Sequence, residues 1–367
     1  MDSLCLFTDG KAILLIFLWL LSVAFPMAQD TAKIDRILSA YKGTVPGASL
    51  LVLKDGKPLL QRCYGLARLD TAAPVTAATN FRLASVSKQF TATCVLQLVQ
   101  LGKLSLDDSL TKWFPGFPAY GQAITIRLLL SHLSGLPDYE DDVPDTAMNP
   151  QLKDQGVLDI LMKKEKGYFE PGTQYRYSNS AYALLALLVG KISGQAYGDY
   201  LQQHIFKPLA MDHTMAFEKE KNTVPFRALG YSRSAGGTWQ EKDQSATSAV
   251  LGDGGIYSNV LDLAKWDEAL YEGTVLPAAL IIQSFTDQHL KDGSPVHYGF
   301  GWHLKKDAEG NEVVYHTGST TSFRNVFYRV PSHHFSLILL TNRNEPAEED
   351  MLLLAEEIAG AIRQTAN

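Results

Sequence analysis

Segments with the pattern of β-strands crowd both ends of this 367-residue chain, and the stretch between them is written mostly in helical periods. Near the start, "GASLLVLKDGKPLLQRCYGLARLD" sets two apolar runs around Asp55-Gly56, a dipeptide that closes tight hairpins. Near the end, "YGFGWHL", "EVVYHTGS", "FRNVFYRV" and "HFSLILLTN" carry the strand pattern again. Between them, "TIRLLLSHLSG" and "SAYALLALLVGKISG" read as helices, and Ser85 to Gln100 runs without Gly or Pro until Gly102. A first helix carries Ile34, Ile37, Leu38 and Tyr41 and stops at Gly43; a last one runs through Met351, Leu354, Ala355, Ile358 and Ile362.

Strands at the two termini must pair with one another to close a core. The expected fold class is therefore α+β: an antiparallel sheet formed from both chain ends, flanked by N- and C-terminal helices, with an inserted mostly helical lobe. The sheet lobe is expected over about 29–80 and 246–367, and the helical lobe over about 81–245. The junction of the two lobes is where a small-molecule cleft belongs. The acidic stretch 138–156 reads as a long surface loop, with a rim over that cleft as the alternative.

A net charge of −6 and the lack of any Lys/Arg run argue against a nucleic-acid partner. Residues 1–28 have the build of a secretory signal: Lys11, an apolar run from Ala12 to Leu21, then small residues, with cleavage after Ala24 or Ala28. The acids Asp2 and Asp9 are atypical before such a run, and a retained N-terminal anchor is the alternative. The expectation is an exported protein, periplasmic or extracellular. Cys5 precedes the apolar run, which leaves Cys63 and Cys94; a strand and a mid-helix setting favour two buried free thiols over a disulfide. No Cys/His spacing suits a metal, and His333-His334 falls in a strand turn.

Ser-x-x-Lys occurs three times, at Ser39/Lys42, Ser85/Lys88 and Ser109/Lys112. An activated serine needs a base within hydrogen-bond reach and donors aimed at the developing oxyanion. Ser39 ends the first helix, and Ser109 heads a segment that Pro115 soon breaks. Ser85 alone opens a long helix, whose spacing stacks Lys88 beside it and whose positive end disfavours an ammonium.

Ser85-x-x-Lys88, Tyr177-Ser178-Asn179 and His316-Thr317-Gly318 stand in the order of the three motifs of penicillin-recognising serine enzymes. With its tyrosine in the second motif, the chain resembles the class C β-lactamase branch: β-lactamases, DD-peptidases, esterases and D-aminopeptidases. Segments such as "LLLSHLSGLPDY", "PGTQYRYSNSAYALLALLVG", "GDGGIYSNVLDLAKW" and "HTGSTTSFRNVFYRVP" extend the likeness over roughly residues 34 to 362. A second Tyr-Ser-Asn, at Tyr257, Ser258 and Asn259, reads as the cap of the following helix.

The resemblance implies the following roles. Ser85 attacks a carbonyl and forms an acyl-enzyme; Lys88 and Tyr177 share its proton as a coupled pair. Asn179 holds a substrate amide. His316, Thr317 and Gly318 lie on an edge strand, with Thr317 reaching the substrate and Gly318 letting it approach. The backbone N–H groups of Ser85 and Ser319 form the oxyanion hole. No cofactor is implied. Most β-lactamases have lysine where this chain has His316, which puts efficient β-lactam hydrolysis in doubt. An imidazole with an ordinary pKa near ~6.5 would face a substrate carboxylate uncharged at pH 7 and gain charge by pH 6. The expected function is an exported serine hydrolase acting on a small-molecule or peptide substrate: a D-amino-acid peptidase, an esterase or a weak β-lactamase. A penicillin-sensor-like domain that acylates without turnover is the alternative.

Overall fold

The computed structural model describes residues 31–144, 146 and 148–363. The leader expected over residues 1–28, with Cys5, lies outside them. Strand β1 (Ala48–Lys54) is buried from Ala48 to Leu53 because it packs on both faces. Leu50 and Val52 join Leu337, Leu339 and Ile358 on one side, while Leu51 and Leu53 join Phe327, Ile338 and Trp266 on the other. The pleat separates the two sets.

β2 (Lys57–Tyr64) completes the N-terminal hairpin across the Asp55-Gly56 turn. From the other end of the chain come β3 (His303–Lys306), β4 (Glu312–Thr320), β5 (Phe323–Val330) and β6 (Phe335–Thr341). The order across the sheet is β3-β4-β5-β6-β1-β2, and every neighbouring pair is antiparallel. The pairing of β1 with β6, Ala48 opposite Thr341, joins the two chain ends.

One face of the sheet packs against the first helix, α1 (residues 31–37), and the last. The other packs against the helical lobe, whose α2 (Lys88–Gln100) and α3 (Asn179–Ser193) lie side by side. α4 (Val260–Glu272) also lies on this face, against β1 and β6, and the C-terminal α5 spans Glu348–Arg363. The fold class is the expected one. Small two- and three-stranded sheets interrupt the helical lobe, pairing Tyr231–Arg233 with Trp239–Glu241, for example.

Two segments depart from the sequence expectation. "YGFGWHL" becomes strand only at His303, because Gly301 takes φ +80° and a Cβ there would come within 2.9 Å of the Lys88 carbonyl. The segment bends to support the start of α2. The helix expected from Ser85 begins instead at Lys88. Ala84–Ser87 form a 3₁₀ turn entered through Ala84 at φ +51°, a conformation that costs a β-carbon residue energy and is held by its surroundings.

Asn259 caps α4, its Oδ1 accepting from the N–H groups of Leu261 and Asp262 at 3.0 Å each. Asn259→Ala is expected to cost about 1 kcal/mol in urea unfolding while leaving Ser85 reactive, which separates this Tyr-Ser-Asn from the one at Tyr177. Cys63 and Cys94 are free thiols.

Candidate active site

The 3₁₀ turn presents Ser85, and α2 begins three residues later with Lys88, so the two side chains meet across one turn of chain. Lys88 is fully buried and Nζ donates to Ser85 Oγ at 2.9 Å, Asn179 Oδ1 at 2.8 Å and the Asp253 carbonyl at 2.9 Å. Burial lowers its pKa to about 8, against the opposing pull of Asp253, Glu140, Glu348 and Asp138. The cause is desolvation and not the helix terminus that the sequence suggests.

Tyr177 comes from the chain entering α3. Its ring centroid is 4.8 Å from Lys88 Nζ, and its hydroxyl is buried without a hydrogen-bond partner of ordinary geometry. Burial pushes that hydroxyl well above its usual pKa, and the neighbouring Ser85 offsets only part of the rise. The ring is held from behind by His132, whose centroid lies 4.2 Å away and whose Nδ1 accepts the Ser178 N–H at 3.0 Å. That contact assigns the remaining proton of the neutral imidazole to Nε2.

Ser85, Asn179 and Ser319 line one cleft together with Tyr139, Glu140 and Asp253. The acidic stretch is thus, at its beginning, a wall of the cleft and not only a surface loop. Tyr139 donates to Asp253 Oδ2 at 2.6 Å, and burial raises the Asp253 carboxyl to about 6. Glu140 stands at the rim, partly open to solvent, and the enclosed portion of its surroundings raises its carboxyl too. The sequence assigns no role to Tyr139, His132 or Asp253, although "LLLSHLSGLPDY" and "GDGGIYSN" contain them, nor to Glu140, which lies in the acidic stretch 138–156.

The third motif is placed differently from expectation. β4 is the second strand of the sheet, but its partner β3 pairs only with Glu312–Tyr315, so His316 to Thr320 form a locally free edge. His316 is buried, with its ring centroid 6.2 Å from that of Tyr177. Its Nδ1 donates to the Thr317 carbonyl at 2.6 Å, and its Nε2 accepts from the Tyr298 hydroxyl at 3.0 Å. Burial, with His303 and Lys88 adding, drives its pKa well below the ordinary value. Thr317 gives its hydroxyl to Glu348 Oε1 at 2.9 Å. Gly318 serves the protein's own backbone: a Cβ there would sit 2.2 Å from the Leu83 carbonyl and 3.3 Å from the Val86 nitrogen. Its missing side chain lets β4 press against the Ser85 turn and brings Ser319 beside Ser85.

The other Ser-x-x-Lys pairs are engaged elsewhere. Ser109 caps a short helix by accepting the Lys112 N–H, and Lys112 Nζ binds Asp108 at 2.6 Å. Lys42 lies at the surface, 3.8 Å from Asp35. Tyr257 is held by Arg227 and Gln244 at 3.0 Å each.

A model of the Beta-lactamase family matches residues 34–360. Penicillin-binding protein 4* of Bacillus subtilis (strain 168) is 32% identical over 331 residues, which cover 86% of this chain and 71% of that protein. Protein flp of Staphylococcus aureus (strain N315) is 29% identical over 325 residues, 85% of this chain and 63% of its own length. Among solved structures, D-amino acid amidase from Ochrobactrum anthropi SV3 complexed with D-phenylalanine superposes with a TM-score of 0.76 at 25% identity, covering 92% of this chain and 99% of that one.

Proposed function

The chain belongs to the β-lactamase family of serine hydrolases, and from that premise we propose that it cleaves an amide or ester through an acyl-enzyme on Ser85, with Lys88 as the base. The supporting observation is the set of acceptors around Lys88 Nζ. As an ammonium, Lys88 fills Ser85 Oγ, Asn179 Oδ1 and the Asp253 carbonyl with its three protons. As a neutral amine it keeps two protons and turns a lone pair toward one partner. Asn179 Oδ1 and a backbone carbonyl only accept, whereas a hydroxyl can donate. The lone pair therefore faces Ser85 O–H, the arrangement a general base requires.

In the proposed sequence Ser85 Oγ bonds to the substrate carbonyl carbon and its proton passes to Lys88. The tetrahedral oxyanion is held by the N–H groups of Ser85 and Ser319. When the bond to the leaving nitrogen or oxygen breaks, Tyr177, kept protonated by burial, supplies the proton and regains one from Lys88. Water then cleaves the acyl-enzyme by the same path reversed. Asn179, anchored through its oxygen, has its amide N–H₂ free for the substrate or for Glu140. The D-amino acid amidase likeness makes D-amino-acid amides, short D-peptides and simple esters the substrates to test. Export through residues 1–28 belongs to the same proposal.

A purified sample mixed with a p-nitrophenyl ester should release one equivalent rapidly and then turn over. A burst without turnover would favour the sensor-like alternative, and no acyl adduct on Ser85 by mass spectrometry would refute the reading. Because the base form of Lys88 is needed, kcat/KM should rise with pH through about 8 and fall roughly tenfold per pH unit well below it. Glu140 holds the Lys88 pKa up. Glu140→Gln should therefore move the midpoint of this profile to lower pH.

A further inference from the structure

The flank of the cleft beyond the third motif carries an unexpected charge. Thr317, two residues before Ser319, donates its hydroxyl to Glu348 Oε1 at 2.9 Å. Glu348 opens α5, followed by Glu349 and Asp350, and its carboxylate is felt at both Lys88 and Tyr177. His316, the imidazole next to Thr317, is buried, neutral and occupied at both nitrogens. The Arg324 guanidinium, which feels the Glu348 charge, donates from one nitrogen to the Thr320 and Phe323 carbonyls of its own turn, and Arg82, which lines the cleft, donates to the Gly254 and Ser248 carbonyls. Glu140 and Asp253 add two further carboxyl groups to the lining of the cleft. Substrate passing over the Thr317–Ser319 edge thus meets an anion, and among the described residues the cation bonded to Ser85 is the buried Lys88.

We propose that Glu348 is a specificity residue that turns this serine hydrolase away from substrates bearing a carboxylate on the leaving side and toward neutral or cationic amides and esters. The inference rests on the Ser85 acyl-enzyme reading. It opposes the usual expectation for a chain with these motifs, since β-lactams and C-terminal D-amino acids both carry that carboxylate. Like charges separated by about 5 Å in a partly solvated cleft disfavour each other roughly ten- to hundredfold.

The test is a matched ester pair, 4-acetoxybenzamide and 4-acetoxybenzoate, which differ in one charge on the leaving group. The wild-type protein should hydrolyse the neutral ester at least about tenfold better in kcat/KM. Glu348→Gln should shrink that preference at least about fivefold, and Glu348→Lys should reverse it. A preference unchanged within about twofold in Glu348→Gln, or absent in the wild type, overturns the proposal. Should the variants fail to fold, as judged by thermal melting, a salt series on the wild type decides. Screening should raise the anionic-to-neutral ratio between 0.05 and 0.5 M NaCl, and a flat ratio overturns the proposal. Ser85→Ala separates the two levels. If that variant still hydrolyses both esters, the acyl-enzyme reading fails whatever Glu348 does; if it hydrolyses neither, the ester ratios judge Glu348 alone.

Discussion

Ser85→Ala is expected to abolish covalent labelling by a fluorophosphonate or fluorescent penicillin and to lower turnover by about 10⁴- to 10⁶-fold, the scale seen when a nucleophile is removed from a serine hydrolase. Ser39→Ala and Ser109→Ala should label like the parent. All three serines stand three residues before a lysine, so the contrast tests geometry and not composition. Lys88 is fully buried and touches Ser85 Oγ at 2.9 Å. Lys112 is spent on Asp108, and Lys42 is at the surface beside Asp35. Labelling that survives Ser85→Ala would sink the mechanism.

Tyr177→Phe should separate activity from stability. The hydroxyl is buried without an ordinary hydrogen-bond partner, and a buried orphan polar group costs about 1–3 kcal/mol. Its removal should leave the melting temperature equal to that of the parent or higher. Activity should nevertheless fall by about 10²- to 10⁴-fold, the usual worth of a positioned proton donor. Lys88→Met behaves oppositely in stability, since it orphans the Asn179 oxygen and the Asp253 carbonyl that Lys88 now satisfies. The double variant should lose little more activity than the worse single one, because both groups handle one proton. Losses that multiply would mean that the two residues serve separate steps. A drop in melting temperature for Tyr177→Phe would mean that its hydroxyl has a structural bond after all.

These effects show which parts of the molecule are readable from residue order. Strand alternation and turn chemistry were enough for the sheet, because burial on two faces writes itself into β1 and β6 as unbroken apolar runs. They failed at Tyr298–Trp302, where an apolar segment bends because a neighbour's backbone, the Lys88 carbonyl, needs the space left by Gly301. The motifs pick out Ser85, Lys88, Tyr177 and Asn179, side chains that the fold brings together. What was missed lies in the backbone or in long-range contact. The Asp253 carbonyl has no residue signature. His132 differs from any buried histidine only by its stack on Tyr177. Gly318 could equally have accommodated a ligand or a carbonyl, and only the tertiary approach to Leu83 decides. From its motif position His316 reads as an imidazole facing the substrate and uncharged at pH 7, whereas its burial depends on Tyr298, 18 residues away.

The sheet that joins the two chain ends also sets a timetable. The Gly47 N–H finds its acceptor on Asn342, 295 residues later. At a synthesis rate of about 5–20 residues per second, the first hairpin waits on the order of 15–60 s for its partner strand. Throughout that interval one edge of β1 is open and β4 has not yet pressed Ser319 against the Ser85 turn. The nascent chain thus carries its nucleophile long before it can use it, and it is most exposed to wrong strand pairing in the same period.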